Sequence, residues 1–147
     1  MGYRVVEINE IQNNPNIAIG VKFPFDGRGI FRKSFTTDEQ ALTNIKSLLL
    51  TRKGERYEQP TFGTDLLNVL FEPNTPGLKE FIEETISSAI NYWLPYIQIS
   101  NLDIVTIEDD PNMIHEIKVS LTFIVTKTNS EQTITIFAGQ DGIVRIE

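Results

Sequence analysis

One stretch near the middle of the chain leaves the backbone few choices: Thr51-Arg52-Lys53-Gly54-Glu55-Arg56-Tyr57-Glu58-Gln59-Pro60-Thr61-Phe62-Gly63-Thr64-Asp65-Leu66-Leu67-Asn68-Val69-Leu70-Phe71-Glu72-Pro73. It reads as a helix end, a constrained loop, a short helix and a stop. Arg52 and Lys53 suit the negative end of the preceding helix, and Gly54 suits the left-handed residue that closes it. Pro60 fixes one backbone angle, while Gly63 permits a conformation that side chains resist. Thr64 is placed to cap a short helix whose apolar residues are Leu66, Leu67, Leu70 and Phe71, and Pro73 disfavours helix at Glu72.

At 147 residues the chain is expected to form one domain with a core of its own. Apolar content of 40% and charged content of 22% are ordinary for a globular protein. A net charge of −7 argues against a generic phosphate-binding surface, which needs an excess of Lys and Arg. The absence of cysteine rules out disulfides and thiolate metal sites, and fits a reducing compartment. Met1-Gly2-Tyr3-Arg4 lacks the apolar run of a signal peptide, and no stretch is apolar for long enough to span a bilayer. Val6 stands where a myristoylation signal needs Ser or Thr. The expectation is a soluble, cytosolic domain with neither nucleic acid nor membrane as partner, and with no cofactor.

Taken in order, Tyr3–Ile8 is a strand or an extended arm, and Asn13-Asn14-Pro15-Asn16 is a turn. Ile17, Ile19, Val21 and Phe23 alternate with smaller or polar residues, the period of a strand with one apolar face. Ile30–Phe35 returns as its hairpin partner, so Gly27-Arg28-Gly29 reads as a turn rather than a phosphate loop. Thr37-Asp38-Glu39-Gln40 is a capping box, and Ala41, Leu42, Ile45, Leu48 and Leu49 follow on one helical face. After the central stretch, Thr75-Pro76 restarts the chain as a cap and first-turn proline. Leu78, Phe81, Ile82, Thr85, Ile86, Ala89, Ile90 and Trp93 then form the longest apolar stripe, stopped by Pro95.

The rest reads as strands. Ile97–Glu108 alternates, with a change of phase between Ile104 and Val105 that marks either a bulge or burial on both faces. Asp109-Asp110-Pro111-Asn112 turns, and Ile117–Val125 is the clearest alternation in the chain. Thr133–Phe137 and Ile143–Ile146 follow, joined by a tight turn at Gln140-Asp141-Gly142. The fold class expected is α+β: an N-terminal hairpin or arm (1–35), three helices at about 38–52, 65–71 and 76–94 within a helical part (36–95), and an antiparallel meander (96–147).

Chemistry is sparse. Glu55, Glu58 and Glu72 flank the central loop, and a glycosidase needs two carboxyls at a set separation. Glu55 lies between Lys53 and Arg56 and Glu72 precedes a proline, so ion-pair and helix-end roles are simpler. His115, the single histidine, has no partner at metal-ligand spacing and sits in phase with the core face of its strand. Asp109, Asp110 and Asn112 lack the glycine and spacing of a calcium loop. There is no nucleophile elbow, and the chain is expected not to be an enzyme. The cluster Arg52, Lys53 and Arg56 is too small for a nucleic-acid footprint and fits a protein contact.

Thr51-Arg52-Lys53-Gly54-Glu55-Arg56, Pro60-x-Phe62-Gly63 and Leu66-x-x-x-Leu70-Phe71-Glu72 together resemble the signature of the phage baseplate wedge, or sheath-initiator, family. That family includes a baseplate subunit of type VI secretion systems, and its members once carried a lysozyme label. The resemblance extends more loosely from about Thr36 to Val125. It implies that Gly54, Pro60, Phe62, Gly63, Leu70 and Phe71 form the structural motif, and that Arg52, Glu55 and Arg56 belong to a loop facing the wedge core. The family's second signature, Glu-Pro-Arg at the end of the long helix, reads Leu94-Pro95-Tyr96 here. Pro95 matches as structure, both charges are gone, and Tyr96 stands as a candidate contact.

By this resemblance the chain is a virion structural protein of a contractile tail, present in six copies and assembled in the host cytoplasm. Its implied partners are other wedge subunits, the tail sheath protein and the tail tube. A phage tail is favoured over a secretion system. A muramidase-like hydrolase and a generic α+β interaction module stay open as alternatives. Edge strands usually carry Lys or Pro, yet Gln132–Phe137 has neither and Ile143–Ile146 has only Arg145. A sheath arm adding a strand here would use Ile97–Glu108, with Ile104 and Thr106, or Ile143–Ile146, with Ile143 and Arg145.

Overall fold

The computed structural model describes residues 17–22, 32–69, 77–106, 109, 116–139 and 144–146. Leu70, Phe71, Glu72, Thr75-Pro76, Asp110–Asn112, His115, Gln140–Gly142 and Ile143, together with the readings at 3–16 and 23–31, lie outside them. Strands β1 (Gly20–Lys22) and β2 (Arg32–Ser34) pair antiparallel, followed by helix α1 (Thr37–Leu50), the single turn α2 (Leu66–Val69) and helix α3 (Leu78–Trp93). Strands β3 (Ile97–Val105), β4 (Glu116–Val125), β5 (Ser130–Gly139) and β6 (Val144–Ile146) form one antiparallel sheet in sequential order. The α+β class and the meander are as the sequence predicts. Of the three helices expected, the middle one is a single turn in the described residues.

The cap of α1 lies one residue earlier than the capping box predicts. Thr36 is the N-cap, its hydroxyl accepting the Glu39 N–H at 3.2 Å, while Glu39 Oε2 accepts the Phe35 N–H at 3.2 Å. Gln40 is not free to reach back. Its Oε1 accepts from the Ser34 hydroxyl, and its Nε2 donates to Asn44 Oδ1 at 2.8 Å. Asp38 accepts from the hydroxyls of Thr128 and Ser130, each at 2.6 Å, which ties the start of α1 to the β4–β5 turn. At the other end α1 stops at Leu50, before Arg52 and Lys53, and its last turn carries no basic residue. Thr51 closes it instead, donating its N–H to Ser47 O at 3.2 Å.

Helix α3 buries a narrower stripe than the one read from the sequence. Leu78, Ile82, Ile86 and Ile90, four residues apart, are fully inside. Phe81, at 50% exposure, and the half-buried Thr85, Ala89 and Trp93 run along the flank. Gly77 precedes the helix without any side-chain cap, and Leu94 and Pro95 end it where expected. Lys79 on the outer side reaches Asp109 at 2.5 Å; that ammonium and the Thr106 N–H hold the Asp109 carboxyl below its usual pKa.

The inner face of the sheet meets these helices through Val119, Leu121, Phe123 and Val125 of β4 and Ile134, Ile136 and Ala138 of β5. Ala41, Ile45, Leu48 and Leu49 of α1 join them in one cluster with the α3 stripe. Each such side chain contributes about 1.5–3 kcal/mol of transfer free energy. The bulge in β3 lies at Ser100, between Ile99↔Phe123 and Asn101↔Thr122; at Ile104 and Val105 the second alternative holds, both side chains being half-buried. The register explains the bulge: Ile97 and Ile99 face inward before the extra residue, and Leu102 and Ile104 after it.

The N-terminal hairpin is turned the opposite way from its pattern. Ile17, Ile19 and Val21 are 48%, 39% and 37% exposed, and Lys33 lies opposite Val21 on the same face. Gly20, Lys22 and Ser34 face α1, where Lys22 pairs with Glu39 at 2.5 Å and lowers the carboxyl pKa. The polar face is anchored because the start of α1 offers carboxylate and amide groups rather than apolar surface.

Candidate functional site

Between α1 and α2 the backbone closes on itself. The Glu55 N–H donates to Arg52 O at 3.1 Å, and Gly54, third residue of that turn, has φ +87°. A turn with positive φ at its third position favours glycine. Glu55 Oε2 accepts the Arg52 N–H at 2.9 Å, so its carboxylate folds back over the turn. The Gly54 N–H then reaches Pro60 O at 2.7 Å, and the Phe62 N–H reaches Gln59 O at 3.0 Å. Thr64 finishes the closure: its N–H donates to Thr51 O at 2.8 Å and its buried hydroxyl to Leu49 O at 3.0 Å. That hydroxyl also accepts the Leu66 N–H at 3.4 Å, the capping role expected of it. Gly63 makes this possible, since at φ +110° a Cβ there would lie 2.3 Å from Thr51 O.

Side chains lock the same loop. The Arg56 guanidinium lies 3.6 Å from the Phe62 ring centroid, and its Nη2 donates to Ser47 Oγ on α1 at 3.2 Å. A guanidinium over an aromatic face is attracted by the ring quadrupole. Phe62 meets Trp93 of α3 edge-on at 5.2 Å, and Trp93 meets Tyr92 at 5.0 Å. Lys53 pairs with Asp65 at 3.1 Å. Between this loop and α3 runs a groove of about 620 Å³, walled by Phe81 at one end and Tyr92 and Trp93 at the other.

The candidates read from the sequence thus divide. Glu55 and Arg56 spend their charged groups inside the loop, while Arg52 is exposed. Pro95 is exposed, but Tyr96 is an internal strut: its hydroxyl accepts from Asn44 Nδ2 at 2.8 Å and its carbonyl from the Thr126 N–H at 3.0 Å. Tyr57, not among those candidates, is 100% exposed in the loop. Nothing periodic marks a loop aromatic as outward, so the only available signal was its position between Arg56 and Glu58.

At the sheet edges one candidate is corrected. Thr106 is 1% exposed and its N–H donates to Asp109 Oδ2 at 2.9 Å, so it does not present an edge to a partner. Ile104 is half-buried against the core. Arg145 lies in β6 opposite Phe137. That strand is short: it pairs only with Ile136–Ala138, and among the described residues Ser130–Thr135 of β5 has no partner on its outer side.

Residues 37–130 match the family model described as baseplate wedge protein gp25, a span from α1 to the start of β5. The baseplate wedge protein gp25 of Enterobacteria phage T4 is 38% identical over 84 residues, 54% of this chain and 64% of that protein. The chain therefore spans just under two thirds of that relative's length. The fold is similar to the crystal structure of a Geobacter sulfurreducens protein provisionally called a tail lysozyme, with a TM-score of 0.58 at 19% identity over 76% of this chain and 90% of that one. A chain of the type VI secretion baseplate complex overlaps with a TM-score of 0.49 at 17% identity, over 73% of this chain and 90% of that one. With the family model matching well over half of its residues, the chain belongs to the baseplate wedge protein gp25 family.

Proposed function

We propose that this chain is a structural subunit of a contractile-tail baseplate. In this reading it works as one wedge domain in the virion tail, assembled in the host cytoplasm in six copies, without catalysis. Other wedge subunits bind at the central loop, and the sheath protein, beside the tail tube, adds a strand to the meander and so starts sheath growth. The family match supports the baseplate part. The observation that carries the sheath part is the stepped sheet edge, where β6 covers three residues of β5 and leaves Ser130–Thr135 open among the described residues. That stretch contains no Lys or Pro to blunt it. An incoming strand in line with β6 would gain backbone hydrogen bonds there, and the alternation around buried Ile134 would set its register.

A proline scan tests this. Proline removes one N–H donor and is tolerated only on the unpaired side of an edge strand. Among single prolines from Glu131 to Thr135 and from Val144 to Ile146, those at positions whose N–H points away from the neighbouring strand are expected to leave baseplates intact. Sheath initiation should fail at those same positions. Full-length sheaths growing at the normal rate in every folded variant would rule out strand addition.

A further inference from the structure

Tyr57 is 100% exposed, and among the described residues the next most exposed aromatic, Tyr92, is at 75%. It lies in a run, Arg52–Thr61, in which every residue is exposed. That run is nevertheless held: the Gly54 N–H spans it to Pro60 O at 2.7 Å, and Arg56, next to Tyr57, is pinned to Phe62 and Ser47. The chain thus fixes the backbone under a phenol ring that packs against none of the described residues. Tyrosine and arginine dominate the energetics of protein interfaces, and an ordered loop loses little freedom on docking. Charge narrows the partner. The whole chain is at −7, yet the run Arg52–Thr61 carries Arg52, Lys53 and Arg56 against Glu55 and Glu58, a net +1, and the Glu55 carboxylate is folded back onto the Arg52 N–H. A surface complementary to this tip has an apolar pocket for the ring and carboxylates around its rim.

We propose that Tyr57 is the anchor that docks the central loop into an apolar, acid-rimmed pocket on a neighbouring wedge subunit, with Arg56 as its positioning residue. This inference rests on the baseplate reading above. Because the ring packs against none of the described residues, Tyr57→Ala is expected to leave the thermal midpoint unchanged, so a loss of assembly is not a loss of folding. Co-expressed with the baseplate subunits of its own tail, Tyr57→Ala is expected to associate roughly thirty-fold more weakly than wild type. Tyr57→Phe is expected to keep association within about threefold, since it keeps the ring. A photo-crosslinking phenylalanine at 57 should join a wedge subunit at a peptide containing Asp or Glu. Arg56→Ala should speed hydrogen exchange at the Gly54 amide, and Tyr57→Ala should not. Equal association of wild type and Tyr57→Ala overturns the inference alone, as does a crosslink to sheath protein or nucleic acid. If wild type itself associates with no wedge subunit, the baseplate reading fails and this inference falls with it.

Discussion

Gly63→Val is expected to lower the stability of the protein by roughly 3–5 kcal/mol, among the largest effects open to a surface-loop position. Two costs add. A β-branched residue at φ +110° is strained by about 1–3 kcal/mol. Its Cβ also lies 2.3 Å from Thr51 O and 2.9 Å from Thr51 C, backbone atoms that cannot swing aside as a side chain would. Moving them breaks the Thr64 N–H bond to Thr51 O, worth about 1 kcal/mol, and loosens the buried Thr64 hydroxyl beneath it. Gly54 supplies the control. Its φ is +87°, but a Cβ there meets nothing within 4 Å, so Gly54→Ala carries only the conformational cost, about 1 kcal/mol. Urea midpoints of Gly54→Ala, Gly63→Ala and Gly63→Val separate the two costs. Equal losses at the two alanines would show that the loop moves away from Gly63 freely.

Phe123→Ala is expected to cost about 3–5 kcal/mol, since it empties the largest fully buried side chain among the described residues. Phe123 sits mid-strand in β4, opposite Ile99 and Gln132, so the strands on either side limit how far the space can collapse. The same change at Phe62 should cost less, about 1–3 kcal/mol, because that ring is only half-buried and touches Trp93 and Arg56 at its edge and face. A Phe62→Ala midpoint shift as large as that of Phe123→Ala would mean that the loop contributes as much to the stability of the core as the sheet does.

Where one face of an element is buried, the sequence was readable. Leu78, Ile82, Ile86 and Ile90 announce α3, and the alternation from Ile117 to Val125 announces β4, because burial leaves a period behind it. Gly54 and Gly63 were legible for a related reason: a positive φ restricts the residue type directly. Where burial is decided by what lies opposite, the period misleads. Ile17, Ile19 and Val21 alternate as a core strand would, yet face outward, since the start of α1 offers polar partners to the other side. In β3 the adjacent apolar pair Ile104 and Val105 reflects burial on both faces, while the extra residue itself shows in the inward set, which changes parity between Ile99 and Leu102. The cap fell on Thr36 rather than Thr37 because Ser34 and Asn44 engage Gln40, contacts invisible in the local pattern. Of the motif loop, sequence gave the position and the hinge residues. It did not separate the charges that hold the loop, Glu55 and Arg56, from the side chain left free at its tip, Tyr57.

The most direct test is to remove the gene for this chain from the genome that carries it and count sheathed tails by electron microscopy. No sheathed tails are expected without the chain, and wild-type numbers when either the native chain or Glu55→Gln is supplied in trans, because the amide oxygen of Gln can still accept the Arg52 N–H. Normal numbers of sheathed tails in its absence, or failure of a folded Glu55→Gln variant together with loss of peptidoglycan cleavage, would contradict a structural baseplate role.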